Sequence, residues 1–192
     1  MSALILDISI SLDGYATAAG VSDDAPMGVG GERLHQWGSG DDPEGRKILD
    51  ESNGRVGATI AGRRTYDRSI PFWGSDGPGG QDRTPTVIVS HSVPDDVPAN
   101  GVYTFVSSLQ EAVKAARQIS GERPMDVFSP TVGRQLLQDG MVDELRLHVS
   151  PVIFGGGINV FEGIENLELE LLESRPSTYA LHLHYAVKRT EC

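Results

Sequence analysis

Cysteine is nearly absent. The one cysteine, Cys192, is the last of 192 residues, which excludes a disulfide within one chain and a cysteine-rich zinc site. Basic residues are also short: 16 Lys and Arg against 27 Asp and Glu leave a net charge of −11. That balance argues against nucleic acid or an acidic membrane as the partner. Because the acids are spread along the chain, they read as a solubilising surface. No apolar stretch approaches the roughly 20 residues needed to span a bilayer. The opening Met1-Ser2-Ala3-Leu4-Ile5-Leu6 lacks the basic segment of a signal peptide. A cytoplasmic protein is expected. P-loop, complete GxGxxG, HExxH and GxSxG motifs are all missing.

The sequence is 39% hydrophobic, enough for the core of one domain spanning 1–192. Ala3 to Ser11 predicts a strand, buried at its start and emerging where Ile8, Ile10 and Leu12 alternate with Ser9 and Ser11. Asp13-Gly14 marks its exit, and Ala19 to Gly31 reads as a long loop. Glu32 to Trp37 suits a short helical turn. Asp42 as N-cap and Pro43 at the first position predict a helix to Ser52, stopped by Asn53-Gly54. Val56 to Ala61 is a short buried strand that turns at Gly62 into a helix. Phe72 to Pro85, dense in Gly, Pro and Asp, reads as a mobile lid. Strands at Thr86–Ser90, Val102–Val106 and Met125–Phe128 alternate with helices opening at Ser107 or Ser108 and at Ser129-Pro130. Three alternating strands follow at 145–149, 167–171 and 179–187, the last two as a hairpin around Ser174 to Ser177. The order implies an α/β fold in three layers, with a mostly parallel sheet and antiparallel strands at its C-terminal end.

Several side chains have two readings. At Thr59-Ile60-Ala61-Gly62-Arg63-Arg64-Thr65-Tyr66-Asp67 a strand opens into a helix, whose free N–H groups and dipole suit an anion. Taken alone, the stretch is better read as a solvated helix start whose arginines pair with surface acids. Asp13 at a strand end is either a proton donor or a turn residue, and the turn is favoured locally. Ser90-His91 follows a buried strand where α/β sheets bind ligands, yet a plain loop fits as well. His182 and His184 share one strand face. A metal would need a third ligand, and His148 could join them only by a coincidence of register. Trp37, Phe72 and Trp73 all lie in or beside loops, where a ligand wall accounts for them better than core packing.

Six segments in order resemble the dihydrofolate reductase fold, specifically the reductase domains of bacterial riboflavin biosynthesis. They are Ile10-Ser11-Leu12-Asp13-Gly14-Tyr15, Gly62-Arg63-Arg64-Thr65-Tyr66-Asp67, Ser90-His91, Gly133-Arg134-Gln135-Leu136-Leu137, Gly140-Met141-Val142-Asp143-Glu144-Leu145, and Pro151-Val152-Ile153-Phe154-Gly155-Gly156-Gly157 with Phe161. The resemblance implies a homodimer of dihydrofolate reductase-like subunits with about eight strands each, binding NADPH across the carboxyl edge. It implies that Arg63, Arg64 and Thr65 hold the adenosine-side phosphates. Gly62, Ser90, His91, Ser129 and Thr131 complete the cofactor side. Asp13 is then the best acid candidate, and Trp37, Phe72 and Trp73 the substrate wall. The expected reaction is hydride transfer to a small heterocycle or carbonyl compound.

One departure cuts against this. Relatives carry a Gly-Gly pair where Phe128-Ser129-Pro130 stands here. Proline has no N–H, and the Ser129 hydroxyl is expected to cap the helix and use up donors, leaving Thr131 and Val132. Each missing charge-assisted bond costs about 1.5–3 kcal/mol, roughly ten- to a hundredfold in affinity. The alternative expectation is therefore a member that has lost or weakened its cofactor site and serves as a ligand-binding or regulatory protein.

Overall fold

The computed structural model describes residues 2–188; Met1 and Cys192 lie outside them. Eight strands form one sheet: β1 (Leu4–Ser11), β2 (Ala58–Gly62), β3 (Thr86–Val89), β4 (Tyr103–Val106), β5 (Met125–Val127), β6 (Glu144–Ser150), β7 (Leu169–Pro176) and β8 (Leu181–Val187). Their order is β4-β3-β2-β5-β1-β6-β8-β7. The six from β4 to β6 run parallel, β8 runs antiparallel to β6, and β7 runs antiparallel to β8. Four helices flank the sheet: α1 (Pro43–Arg55), α2 (Arg63–Trp73), α3 (Leu109–Ser120) and α4 (Pro130–Gln138). A 3-10 turn covers Gly31–Gly38. Among the described residues no helix is long and apolar enough to cross a membrane.

Strand alternation divides the molecule into two unlike halves. Leu4, Leu6, Ile8 and Ile10 of β1 join Ile60, Val87, Val127, Leu145 and Leu147 in the main core, beneath Ala112, Val113 and Ala116 of α3 and Val132 and Leu136 of α4. Gly133 lets α4 approach: a Cβ there would lie 2.4 Å from Leu6 Cδ1. The opposite face of β1 carries Asp7, Ser9 and Ser11. The alternation predicts a strand that emerges into water, yet all eight β1 residues are buried. The 3-10 turn and α1 cover the polar face, so its polar groups must find partners inside.

Four boundaries differ from the sequence expectation. α1 continues through Asn53-Gly54 to Arg55 and ends because buried Val56 turns extended. The following Gly57 passes so close to α3 that a Cβ would meet Ser120 at 2.8 Å. The central strand is accordingly Ala58–Gly62. Phe72 and Trp73 belong to the last turn of α2, and the expected lid behind them is tied down. Val102 N donates to Ser75 O at 3.1 Å, and Arg83 pairs with Asp76 and donates to Asn100 O. The β7–β8 turn closes at Ser177–Ala180, three residues later than expected, since β7 runs to Pro176. At α3 the second cap alternative holds: Ser108 accepts from Glu111 N at 3.2 Å, while Glu111 accepts from Ser107 N.

Candidate active site

Strands β2, β3 and β5 end on the same carboxyl edge, where parallel α/β sheets leave a crevice. Gly62, extended at φ −91°, ends β2, and α2 starts there without a side-chain cap. Its first-turn N–H groups therefore lack an intrahelical or capping partner. Arg63 is already engaged: Nε donates to Asp67 Oδ1 at 2.6 Å, and Nη1 donates to Ser90 Oγ at 3.3 Å and Ser92 O at 3.1 Å. It thereby clips the exits of β2 and β3 together. Arg64 and His91 are exposed, with no hydrogen bond or ion pair to the described residues.

Ser129 does not play the part its position predicts. Its side chain leaves the start of α4 uncapped. Instead, Ser129 Oγ accepts from Gly62 N at 2.7 Å and donates to Thr65 Oγ1 at 2.7 Å. Two strand exits apart in sequence are thus joined by one hydroxyl, and a Cβ on Gly62 would come within 2.9 Å of Val132. The backbone donors of Thr131 and Val132 are left open, while Pro130 has none to offer. Gly62, Arg63, Arg64, Thr65, Ser90, His91, Ser129 and Thr131 are brought to one edge.

Asp13 is arranged as an acceptor. Oδ1 takes the Ser11 hydroxyl at 2.6 Å and Phe154 N at 3.1 Å, and Oδ2 takes Gly155 N at 2.7 Å. The Ser11 bond, with Gly155 and Phe154, holds its carboxyl below the ordinary carboxylate value. A carboxylate so bound is ionised at neutral pH and staples the β1 exit to the glycine loop. The geometry therefore speaks against the proton-donor role expected of it.

The three aromatics do not form one wall. Phe72 is 82% exposed, and Trp73 packs beside Ala61, Tyr66 and Ile88. Trp37 is buried on the polar face of β1, where Nε1 donates to Ser9 Oγ at 2.9 Å and the ring stacks on His148 at 4.1 Å. Core packing, rejected for Trp37 from sequence, accounts for its burial.

What Trp37 covers is a cluster that local patterns did not reveal. The register that looked like a coincidence occurs: His148 on β6 lies opposite His182 on β8. Their Nδ1 atoms are 2.6 Å apart, so one carries a proton and the other does not. His148 Nε2 meets Asp7 Oδ1 at 2.9 Å, and His182 Nε2 meets Ser177 Oγ at 2.9 Å. His184 lines the same face but is engaged by Glu144 at 2.7 Å. Burial works against ionised Asp7, yet His148 and Arg146 hold its pKa down. Burial and the His148 charge push His182 down to about 4. Beside Asp7 on the same face, burial and the Asp7 charge push Asp126 up to about 8, and its Oδ1 has no hydrogen-bond partner. A cavity of about 60 Å³ separates this face from α1, bordered by Asp7, Ser52, Arg146, His148, Arg175 and His182. Among the described residues no three His, Cys, Asp or Glu side chains converge to hold a metal.

A family model described as the RibD C-terminal domain matches residues 2–183. No curated protein matches the sequence significantly. Among solved structures, a putative riboflavin biosynthesis protein from Shewanella sp. PV-4 superposes with a TM-score of 0.71 at 21% identity, covering 97% of this chain and 99% of that one. Acinetobacter baumannii RibD superposes at 0.69 with 16% identity over 98% of this chain and 59% of that one. A pyrimidine reductase-like protein from Corynebacterium diphtheriae gives 0.61 at 16% identity, over 98% of this chain and 92% of that one. These structures share the fold, a dihydrofolate reductase-like sheet with antiparallel C-terminal strands.

Proposed function

Because the chain belongs to the RibD C-terminal domain family, we propose that it is an NADPH-dependent reductase of a small heterocyclic or carbonyl substrate, working as a single-domain homodimer in the cytoplasm. The observation that carries this is the carboxyl edge. Two helix starts without side-chain caps, α2 and α4, are held side by side by Ser129, and Arg63, Arg64 and His91 stand around them. Paired N-terminal dipoles, open N–H donors and cations form an oxyanion cradle of the kind a dinucleotide diphosphate needs. The residues present fit the cofactor despite the missing glycine pair, because Ser129 spends its hydroxyl on Gly62 and Thr65 rather than on the α4 donors.

When bound, NADPH supplies the hydride, the hard chemistry of the reaction. The chain's own residues orient and enclose. Arg63, Arg64, Thr65, Ser90, His91 and Thr131 would hold the phosphates and adenosine side, with Ser129 behind them joining Gly62 to Thr65. Asp13 keeps the loop after β1 against Phe154 and Gly155, so the two loops that wall the edge are tied together.

NADPH titration with fluorescence readout tests the reading, and absence of binding at millimolar cofactor would sink it. Where binding occurs, joint substitution Arg63→Ala and Arg64→Ala should weaken NADPH much more than NADH. Equal losses would show that the pair does not read the 2′-phosphate. The second reading, a ligand-binding or regulatory member with a weakened cofactor site, is favoured by one fact: the Gly62 N–H is already taken by Ser129. It gains the field if the titration is flat.

A further inference from the structure

Ser129 is 2% exposed, so its hydroxyl proton has to be donated inside the protein. Its oxygen accepts the Gly62 N–H, and the acceptor its own proton reaches is Thr65 Oγ1, each at 2.7 Å. A hydroxyl owns one proton and two lone pairs. With a Thr65 lone pair occupied by the Ser129 O–H, the proton of Thr65 itself must point away from Ser129. Thr65 is half-buried in the first turn of α2 and makes no other side-chain bond with the described residues. In a capping box the side chain at this third position reaches back to its own N-cap N–H. Here Ser129 does that from a different strand exit, and Thr65 is released from the task.

We infer that Ser129 is a positioning residue: it polarises the Thr65 hydroxyl into a committed donor toward a phosphate oxygen at the α2 start. The inference rests on the reductase reading above. It also gives Phe128-Ser129-Pro130 a physical role. The serine compensates for the missing glycine pair by orienting a side-chain donor on α2, where glycines would have admitted the phosphate to backbone donors on α4.

The test is a double-substitution cycle read by calorimetric binding of NADPH, with far-UV circular dichroism on every variant. Thr65→Val and Ser129→Ala should each weaken NADPH about tenfold, the size of one charge-assisted bond. The double variant should also lose only about tenfold, since both changes remove the same directed proton. Thr65→Ser and Ser129→Thr, which keep the hydroxyls, should bind like the parent. Undiminished binding by Thr65→Val overturns the inference, as do losses that multiply to about a hundredfold. If Ser129→Ala does not fold, the contrast of Thr65→Val with Thr65→Ser decides. A parent protein that binds no NADPH removes the reductase reading and this inference together; a parent that binds, with an unaffected Thr65→Val, removes this inference alone.

Discussion

Asp126 and His182 are buried groups kept in the neutral form, and each couples folding to pH. Asp126 is raised to about 8 from an ordinary 3.8, so the folded protein holds its proton more tightly than the unfolded chain. Its contribution therefore worsens as pH rises from about 4 to about 8. Asp126→Asn removes the titration while keeping the shape. It should raise the melting temperature at pH 7–8 and leave it nearly unchanged near pH 4, as read by thermal melts across that range. His182 has the opposite sign. Lowered to about 4 from 6.5, it destabilises the fold as pH falls from 6.5, because the unfolded chain takes the proton first. His182→Gln should flatten that acid-side loss. Neither behaviour was legible locally. Asp126 sits in a three-residue strand and His182 in an alternating one, and only the sheet register places Asp7 and His148 beside them.

At the scale of elements, α1 is the anomaly. Gly45 is its one buried residue, and a Cβ there would fall 2.1 Å from Trp37 O. The helix therefore has no apolar stripe to dock with. It is held by polar contacts: Arg175 pairs with Glu44 and with Glu51 at 2.8 Å, Ser52 donates to Asp7 at 3.1 Å, and N-cap Asp42 accepts from Gly45 and Tyr179, both at 3.1 Å. Partly exposed ion pairs contribute little each, about 0–1 kcal/mol. Arg175→Met should therefore leave the melting temperature within about 2 °C while speeding amide exchange in α1 selectively. Uniform acceleration across the sheet would show that α1 is bound more firmly than its contacts suggest. The sequence showed the start of this helix well, because Asp42-Pro43 is a local cap. Its end was misplaced because Asn53-Gly54 is a stop only where the next residue needs to turn; here buried Val56 sets the boundary.

For the whole molecule the two titrations combine into one curve. Between about 4 and 6.5 the losses from Asp126 and His182 run in opposite directions and nearly cancel. From 6.5 to about 8 the Asp126 effect is no longer opposed by His182, so stability should fall. Below about 4 the carboxylates held down by hydrogen bonds, among them Asp13 and Asp7, lose their contribution. The expected profile from chemical denaturation is a plateau from about 4.5 to 6.5 with a decline on the alkaline side. A maximum at pH 8 would contradict it. The asymmetry of the sheet underlies this behaviour: one face is an apolar core under α3 and α4, and the other is a buried polar layer under α1.

Sequence alone determined the family-level architecture. The alternation of short apolar strands with helices requires a parallel sheet, and four of the six ordered segments lie at strand exits, marking the edge where Arg63, Arg64 and Thr65 gather. Those are local properties, written within a few residues of one another. Tertiary structure decided what the side chains at that edge and behind it do. Ser129 bonds to Gly62 and Thr65 rather than capping α4, Asp13 accepts from Phe154 and Gly155 across two loops, and His148 meets His182 across a strand pair. Each depends on which strand lies beside which and in what register, and a one-residue slip would undo all of them.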